Sequence, residues 1–150
     1  MSTAQQTTAE VEIRAFVESW LNAYRSKDPD ALVAHYIPNG RAFTLAPPLE
    51  YVNGDERQRA FTKEWFSGFE DSMEFSIRDL EIEIEGDLAY CLFFMQLAAT
   101  PVGDQRFSFW YRITLGLRKV DGRWKISHEH ESVPFHMDGR FRAAVELQPA

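Results

Sequence analysis

The 150-residue sequence has one cysteine, Cys91, and no long apolar run. A lone cysteine cannot form an intramolecular disulfide, which is typical of proteins in a reducing compartment. A membrane helix needs roughly 18 uninterrupted apolar residues, and the N-terminal residues lack the basic and apolar regions of a signal peptide. We therefore expect a cytoplasmic protein that does not act at a membrane.

Basic residues are the minority among the charged side chains. There are 16 Lys and Arg against 23 Asp and Glu, so the formal net charge is −7, and the basic residues do not cluster along the chain. Long-range repulsion then opposes binding to nucleic acid or anionic lipid. We expect no nucleic-acid partner, and the charge favours a neutral apolar ligand over a strongly anionic one.

Aromatic residues are abundant, with 12 Phe, 5 Tyr and 4 Trp making up 14% of the chain. The hydrophobic share of 45% and the charged share of 26% are ordinary for a globular protein of one domain. The aromatic rings therefore either fill the core of this domain or line a ligand cavity within it.

Helical patterns occupy the first half of the chain. Apolar residues recur at steps of three and four near the N terminus, and Thr7 followed by Glu10 has the spacing of a capping box, which predicts the start of a helix. Asp28-Pro29-Asp30 predicts a second, short helix that ends at Pro38-Asn39-Gly40. A third helix is predicted from about Asp55 to Phe69.

Strand patterns follow from Ser72 onward. Leu80–Glu85 alternates apolar and acidic residues, and Gly86-Asp87 then forms the turn of a predicted hairpin. The residues just before this stretch have the opposite parity, which predicts a one-residue bulge near Arg78 or Asp79.

Two further strands are predicted from about Gln105 to Val120 and from Arg123 to about Pro134. Together with the hairpin they form a four-stranded meander. Helices followed by a meander predict an α+β fold in which the helices cover one face of a curved sheet.

Two local motifs carry a family resemblance. Residues 121–132 contain a glycine turn, then Trp124-Lys125-Ile126, then a His-x-His-x-Ser pattern, and Arg112-Ile113-Thr114 precedes them. With the first helix-turn-helix, these motifs resemble the SnoaL-like branch of the nuclear-transport-factor-2-like superfamily, which includes ketosteroid isomerases and polyketide cyclases.

The resemblance implies a cone-shaped α+β barrel, with three N-terminal helices packed on a strongly curved antiparallel or mixed sheet. It also implies a single domain over residues 1–150, with a core of about 9–135 and a tail of 136–150, and an apolar pocket between helices and sheet. We expect a homodimer, which the apolar Tyr90, Leu92 and Phe94 on one strand face also favour.

His128 and His130 are the first candidate catalytic residues. Two residues apart on a strand, they share a face with Trp124 and Ile126, so both enter the pocket if that face is concave. Histidine has an unperturbed pKa near neutrality, so either side chain could move a proton. The alternative is that both are hydrogen-bonded structural residues.

Arg112 is the third candidate catalytic residue. It shares a strand face with Trp110 and Thr114, and a pocket arginine could clamp a carboxylate or enolate. On an outward face it would instead pair with glutamates of a neighbouring strand. The residues leave both readings open, and the resemblance favours the pocket.

Candidate ligand-binding residues lie on the same strand face as Arg112 and on the apolar stripes of the helices and an early loop. They are Trp20, Tyr24, Tyr36, Phe43, Trp65, Phe69, Trp110 and Thr114. A metal site at the histidine pair is not expected, because Glu129 and Glu131 point away from the histidines on a regular strand. We expect no cofactor.

The sequence thus predicts a small-molecule pocket protein that binds a small apolar ligand. The leading hypothesis is a cofactor-free isomerase, cyclase or dehydratase that works by proton transfer on an apolar carbonyl compound. The alternative is a non-catalytic ligand-binding or oligomeric association module of the same fold. The sequence leaves open whether the protein is an enzyme.

Overall fold

The computed structural model describes residues 1–70 and 72–150, and this part of the chain contains three helices and six strands. The helices are α1 (Thr3–Arg25), α2 (Pro29–Val33) and α3 (Glu56–Ser67), and the strands are β1 (Tyr36–Phe43), β2 (Tyr51–Asn53), β3 (Glu74–Glu85), β4 (Leu88–Ala99), β5 (Phe107–Val120) and β6 (Arg123–Ser132). None of these helices has both the length and the hydropathy that crossing a bilayer requires.

The first helix begins earlier than predicted. Ser2 caps α1, since its hydroxyl accepts a hydrogen bond from the Gln5 backbone and the Gln5 side chain accepts one from the Ser2 backbone. Thr7 lies inside the helix, where its hydroxyl donates to the carbonyl of Thr3. The capping-box spacing therefore occurs more than once near the N terminus, and the outermost pair, which gives the longest helix, forms the cap.

The second and third helices begin where the sequence predicts, at the caps Asp28 and Asp55. The predicted end of the second helix at Pro38–Gly40 is wrong, because α2 stops at Val33. The next residues join the sheet instead, and β1 starts at Tyr36. Pairing with β6 therefore overrides the short helical pattern.

The sheet has the order β2-β1-β6-β5-β4-β3, with β1 parallel to β6 and the other pairs antiparallel. The expected α+β fold with three helices on a curved, mixed sheet is confirmed. The sheet is curved but not closed, since β2 and β3 are free edges. The predicted bulge in β3 is also confirmed, because the register shifts between Arg78 and Glu81.

A second bulge, in β6, was not predicted. Gly116 pairs with His128 and Leu117 pairs with Ile126, so Ser127 is an extra residue on β6. The Ser127 hydroxyl donates to the Gly116 carbonyl at 3.1 Å. An extra residue reverses the side-chain alternation of a strand. Even-numbered residues of β6, such as Ile126, therefore face the helices before the bulge, and odd-numbered residues, such as Glu129, face them after it.

The core lies between α1 and the concave face of the sheet. From α1 it takes Ile13, Val17 and Leu21, each no more than 1% exposed. The sheet contributes Ile113, Leu115, Leu117 and Ile126. These side chains fill one end of the concave face, and a cavity remains at the other end, near α3 and β2.

Candidate functional site

A cavity of about 570 Å³ lies between the helices and the concave face of the sheet. Among the described residues, nine aromatic side chains line it: Tyr24, Tyr36, Tyr51, Phe61, Trp65, Phe69, Phe107, Phe109 and Tyr111. This volume is in the range of small-molecule binding sites. The aromatic residues of this chain therefore do both things that the sequence allows. Some line the cavity, and others, such as Trp20, are packed in the core.

Two glutamates of β6 point into this apolar cavity. Glu129 is 3% exposed, and its Oε1 atom accepts a hydrogen bond of 3.1 Å from the hydroxyl of Tyr36. Glu131 is half-buried, and its Oε2 atom accepts one of 3.2 Å from the backbone N–H of Leu45. The β6 bulge places both carboxyl groups on the concave face.

A chain of hydrogen bonds fixes the orientation of Glu129. The indole N–H of Trp20, which can only donate, lies 3.0 Å from the Tyr36 hydroxyl oxygen. The hydroxyl hydrogen of Tyr36 therefore points to Oε1 of Glu129. The second carboxyl oxygen of Glu129, Oε2, is left to exchange a proton with the cavity.

Burial makes these carboxyl groups weak acids. It raises the pKa of Glu129 to about 8, with the neighbouring Glu131 as a second cause and the Tyr36 hydrogen bond opposing the shift. Burial also raises the pKa of Glu131 to about 7, opposed by the Leu45 N–H. Groups with such pKa values can take and release protons near neutral pH.

Tyr111 of β5 brings a hydroxyl group to the same cavity. The residue is 6% exposed, and its hydroxyl makes no hydrogen bond within the part of the chain that the structure describes. Burial, followed by the charges of Glu131 and Glu129, raises the pKa of Tyr111 well above its usual range. The group therefore stays protonated and can donate a hydrogen bond to a ligand.

The expectation that His128, His130 and Arg112 face the pocket is wrong, because all three lie on the outer face of the sheet. The Nδ1 atom of His128 lies 2.6 Å from the carbonyl oxygen of Arg41, and Arg112 donates to the Ser132 hydroxyl at 3.0 Å. The histidines point outward because of the β6 bulge. It reverses the side-chain alternation, so they do not share the inward face of Trp124 and Ile126. Arg112 lies on the outward face, as in the alternative reading, but its partner is the Ser132 hydroxyl, and none of the ion pairs among the described residues joins it to a glutamate.

Four of the eight predicted ligand residues line the cavity, namely Tyr24, Tyr36, Trp65 and Phe69. Trp20 lies behind the wall, fully buried, where it positions Tyr36. The other three are not among the lining residues. Phe43 packs against His128 and His130 on the outer face, and Trp110 and Thr114 share the outward face of β5 with Arg112.

Glu129, Glu131 and Tyr111 are among the polar cavity residues that the sequence analysis missed. An uninterrupted β6 alternation places both glutamates on the solvent side. The one local signal is Gly116, since a glycine within a strand often marks a bulge or a close backbone approach. Within residues 1–70 and 72–150, no three His, Cys, Asp or Glu side chains are grouped to hold a metal ion.

A second groove, of about 620 Å³, lies between the start of α1 and the turns of the sheet. Of the two carboxylates in its lining, Glu12 and Asp87, Glu12 already accepts hydrogen bonds of 3.2 Å from both Lys119 and Trp124. Because this charge is neutralised and the groove is open to solvent, the aromatic cavity is the better candidate site.

Comparison with known proteins identifies the family. The family model described as a SnoaL-like domain matches residues 13–136. The chain belongs to the SnoaL-like family. No curated protein sequence matches it. The resemblance indicated by the last hairpin is thereby confirmed.

Solved structures share the fold of this SnoaL-like chain. An NTF2-like protein of unknown function from Pseudomonas putida KT2440 is 29% identical, with 95% of this chain and 98% of that chain covered and a TM-score of 0.83. A candidate scytalone dehydratase from Novosphingobium aromaticivorans is 16% identical over 99% of both chains, with a TM-score of 0.79. A ketosteroid isomerase-like protein from Erwinia carotovora atroseptica is 21% identical over 81% of this chain and 93% of that chain, with a TM-score of 0.69. The last two likenesses show the fold alone.

Proposed function

We propose that this SnoaL-like protein is a cofactor-free isomerase, cyclase or dehydratase that acts by proton transfer on an apolar carbonyl compound. The observation that carries the proposal is the hydrogen bond between Tyr36 and the buried Glu129, in the wall of an aromatic cavity. Glu129, and not a histidine, is the proton-transfer group in this proposal.

The proposed reaction starts with a carbonyl compound in the cavity. Ionised Glu129 takes a proton at Oε2 from the carbon next to the carbonyl group, while Tyr36 holds Oε1. The C–H electron pair moves into the carbonyl group, and the Tyr111 hydroxyl donates a hydrogen bond to the oxygen on which negative charge develops. Glu129 and Tyr111 are on neighbouring strands, β6 and β5, and the sheet holds them in position during the reaction.

The fate of the proton on Oε2 determines the reaction type. Returned to a different carbon, it completes an isomerisation. Given to a leaving hydroxyl group as the C–O bond breaks, it releases water and completes a dehydration. In a cyclisation, the enolate carbon attacks a second carbonyl group of the same molecule, and the new alkoxide takes the proton.

The test compares the wild-type protein with E129Q on two kinds of ketone. An aryl β-hydroxy ketone reports dehydration and a β,γ-unsaturated ketone reports isomerisation, both through the absorbance of a conjugated product. We expect E129Q to lose at least about 100-fold in kcat/KM, while E81Q, at an exposed glutamate of β3, retains wild-type activity. Full turnover by E129Q would refute the role of Glu129.

Non-catalytic binding or association is the alternative function. Tyr90 and Leu92, on the outer face of β4, are 46% and 38% exposed, which supports a homodimer contact there. In this alternative, mass spectrometry recovers a bound carbonyl compound unchanged, and sedimentation gives a dimer that a Leu92→Lys change dissociates. Product formation on either ketone contradicts it.

A further inference from the structure

The cavity contains two carboxyl groups, Glu129 and Glu131, without a basic partner. No ion pair joins Glu129 or Glu131 to a lysine, arginine or histidine among the described residues. The basic residue in the lining is Arg57, whose guanidinium group pairs with Asp55 at 2.6 Å. A buried negative charge is costly unless a positive charge compensates it, and here the described residues supply none.

Two polar groups beside this charge are left available to a ligand. Glu131 uses one carboxyl oxygen for the Leu45 N–H, which leaves Oε1. Tyr111 is 6% exposed as a residue, and its hydroxyl, at the cavity surface, has no hydrogen-bond partner among the described residues. The two residues are close, because Ile113 of β5 pairs with Glu131 and Tyr111 is the next inward residue on that strand.

The walls of the cavity also suit a positive charge. Its aromatic side chains include Trp65, Phe69 and Phe109, and the face of an aromatic ring attracts a cation when the site excludes water. Carboxylate groups framed by aromatic rings therefore favour an organic cation over an anion of the same shape.

We propose that the ligand of this cavity carries a protonated amine on an apolar body, and that Glu131 is the residue that selects it. The ammonium group donates to Oε1 of Glu131 and to the Tyr111 oxygen, and the apolar body packs against the rings. The inference rests on the proposed function, since it narrows the substrate class to carbonyl compounds that contain an amine. It leaves Glu129 free to move the proton.

Three probes of one shape test this inference by calorimetric titration at pH 7.5. They are 1-naphthylmethylamine, 1-naphthalenemethanol and 1-naphthoic acid, which are cationic, neutral and anionic. We expect the amine to bind at least about tenfold more tightly than the alcohol and the acid to bind weakest. Equal or tighter binding of the alcohol, or no measurable binding of the amine, overturns the proposal.

Two variants locate the selectivity. E131Q keeps the shape of the side chain without its charge, and we expect its preference for the amine over the alcohol to fall to about twofold or less. H130Q changes the next residue, on the outer face, and keeps the full preference. A preference that E131Q retains overturns the role of Glu131, provided that the circular dichroism of the variant is unchanged.

Different experimental results would refute the proposed function and this inference. Turnover of neutral ketones without selectivity for the amine refutes only the inference. Selective binding of the amine, with no product from ketones that carry an amine or from neutral ones, refutes only the proposed reaction.

Discussion

Gly116 of β5 faces His128 of β6, whereas the next residue, Leu117, faces Ile126. Ser127 therefore has no partner across the strands, and the alternation of β6 reverses there. This reversal places Glu129, 3% exposed, on the concave face. The chemistry of the cavity thus depends on a single extra residue.

The bulge should depend on Gly40, which lies against it on β1. A Cβ atom at position 40 would be 3.0 Å from the backbone oxygen of Ser127, so G40A forces the bulge to move. We expect a loss of about 1–3 kcal/mol in the free energy of unfolding, measured with urea. G116A is the control, because its Cβ has ordinary contacts of 3.5 Å. An equal effect of both changes would contradict this account.

The raised pKa of Glu129 predicts how stability varies with pH. The folded state keeps the proton of Glu129 up to about pH 8, whereas an unfolded glutamate loses it near pH 4.3. This group therefore stabilises the fold at acidic pH, and the contribution falls as pH rises from about 4 to 8. E129Q lacks the titration, so it should gain about 1–3 kcal/mol over the wild type between pH 5 and pH 9. A difference that stays constant with pH would refute the burial of an ionisable Glu129.

Tyr36 and Tyr111 should affect activity in different ways, Tyr36 through the pH dependence and Tyr111 through kcat. In the proposed reaction kcat/KM rises with pH until Glu129 is ionised, above about pH 8. Y36F removes the hydrogen bond that lowers the pKa of Glu129, so the rise should move to higher pH. Y111F removes the oxyanion donor, so kcat should fall about 10–1000-fold with no shift of the profile. Identical profiles for the two variants would contradict these roles.

The outer-face histidines should not affect proton transfer. His128 and His130 pack around Phe43 on the convex side of the sheet, away from the cavity. We expect H128Q and H130Q to keep kcat/KM within about threefold of the wild type at every pH from 6 to 9. Loss of activity in both variants, with an unchanged circular dichroism spectrum, would restore the catalytic role that the sequence suggested.

Cys91 should be unreactive in the folded protein. It is 0% exposed, and burial raises the pKa of its thiol to about 12, so the reactive thiolate is scarce at neutral pH. We expect a disulfide reagent such as dithionitrobenzoate to react with about one thiol per chain in urea and with almost none before unfolding. Rapid reaction of the native protein would show that β4 opens.

Much of the fold was predictable because it rests on local patterns. Asp28 caps a helix in the structure as it does in the sequence pattern, the third helix begins at the predicted Asp55, and the bulge near Asp79 follows from a visible change of parity in β3. Tyr36 shows the limit. A helical spacing included it in α2, but pairing with β6 placed it in a strand, because long-range contacts outweigh weak local preferences.

The candidate site was less predictable than the fold. The positions of Tyr24, Tyr36, Trp65 and Phe69 in the cavity lining were predictable because apolar periodicity also marks the residues that face a cavity. Glu129 was missed because a glutamate beside a histidine on a regular strand is expected to face water. Its burial becomes apparent only when β5 is placed next to β6.

By itself, the sequence determined most of the element types, the curved α+β architecture and the family, since these follow from periodicity, caps, turns and a hairpin motif. Only the tertiary structure decided which face of β6 meets the cavity. A bulge is a property of two paired strands, and its position depends on backbone register that no single-strand pattern contains. For this reason the fold could be predicted from the sequence. That Glu129 and Glu131, and not the two histidines, face the cavity could not be predicted.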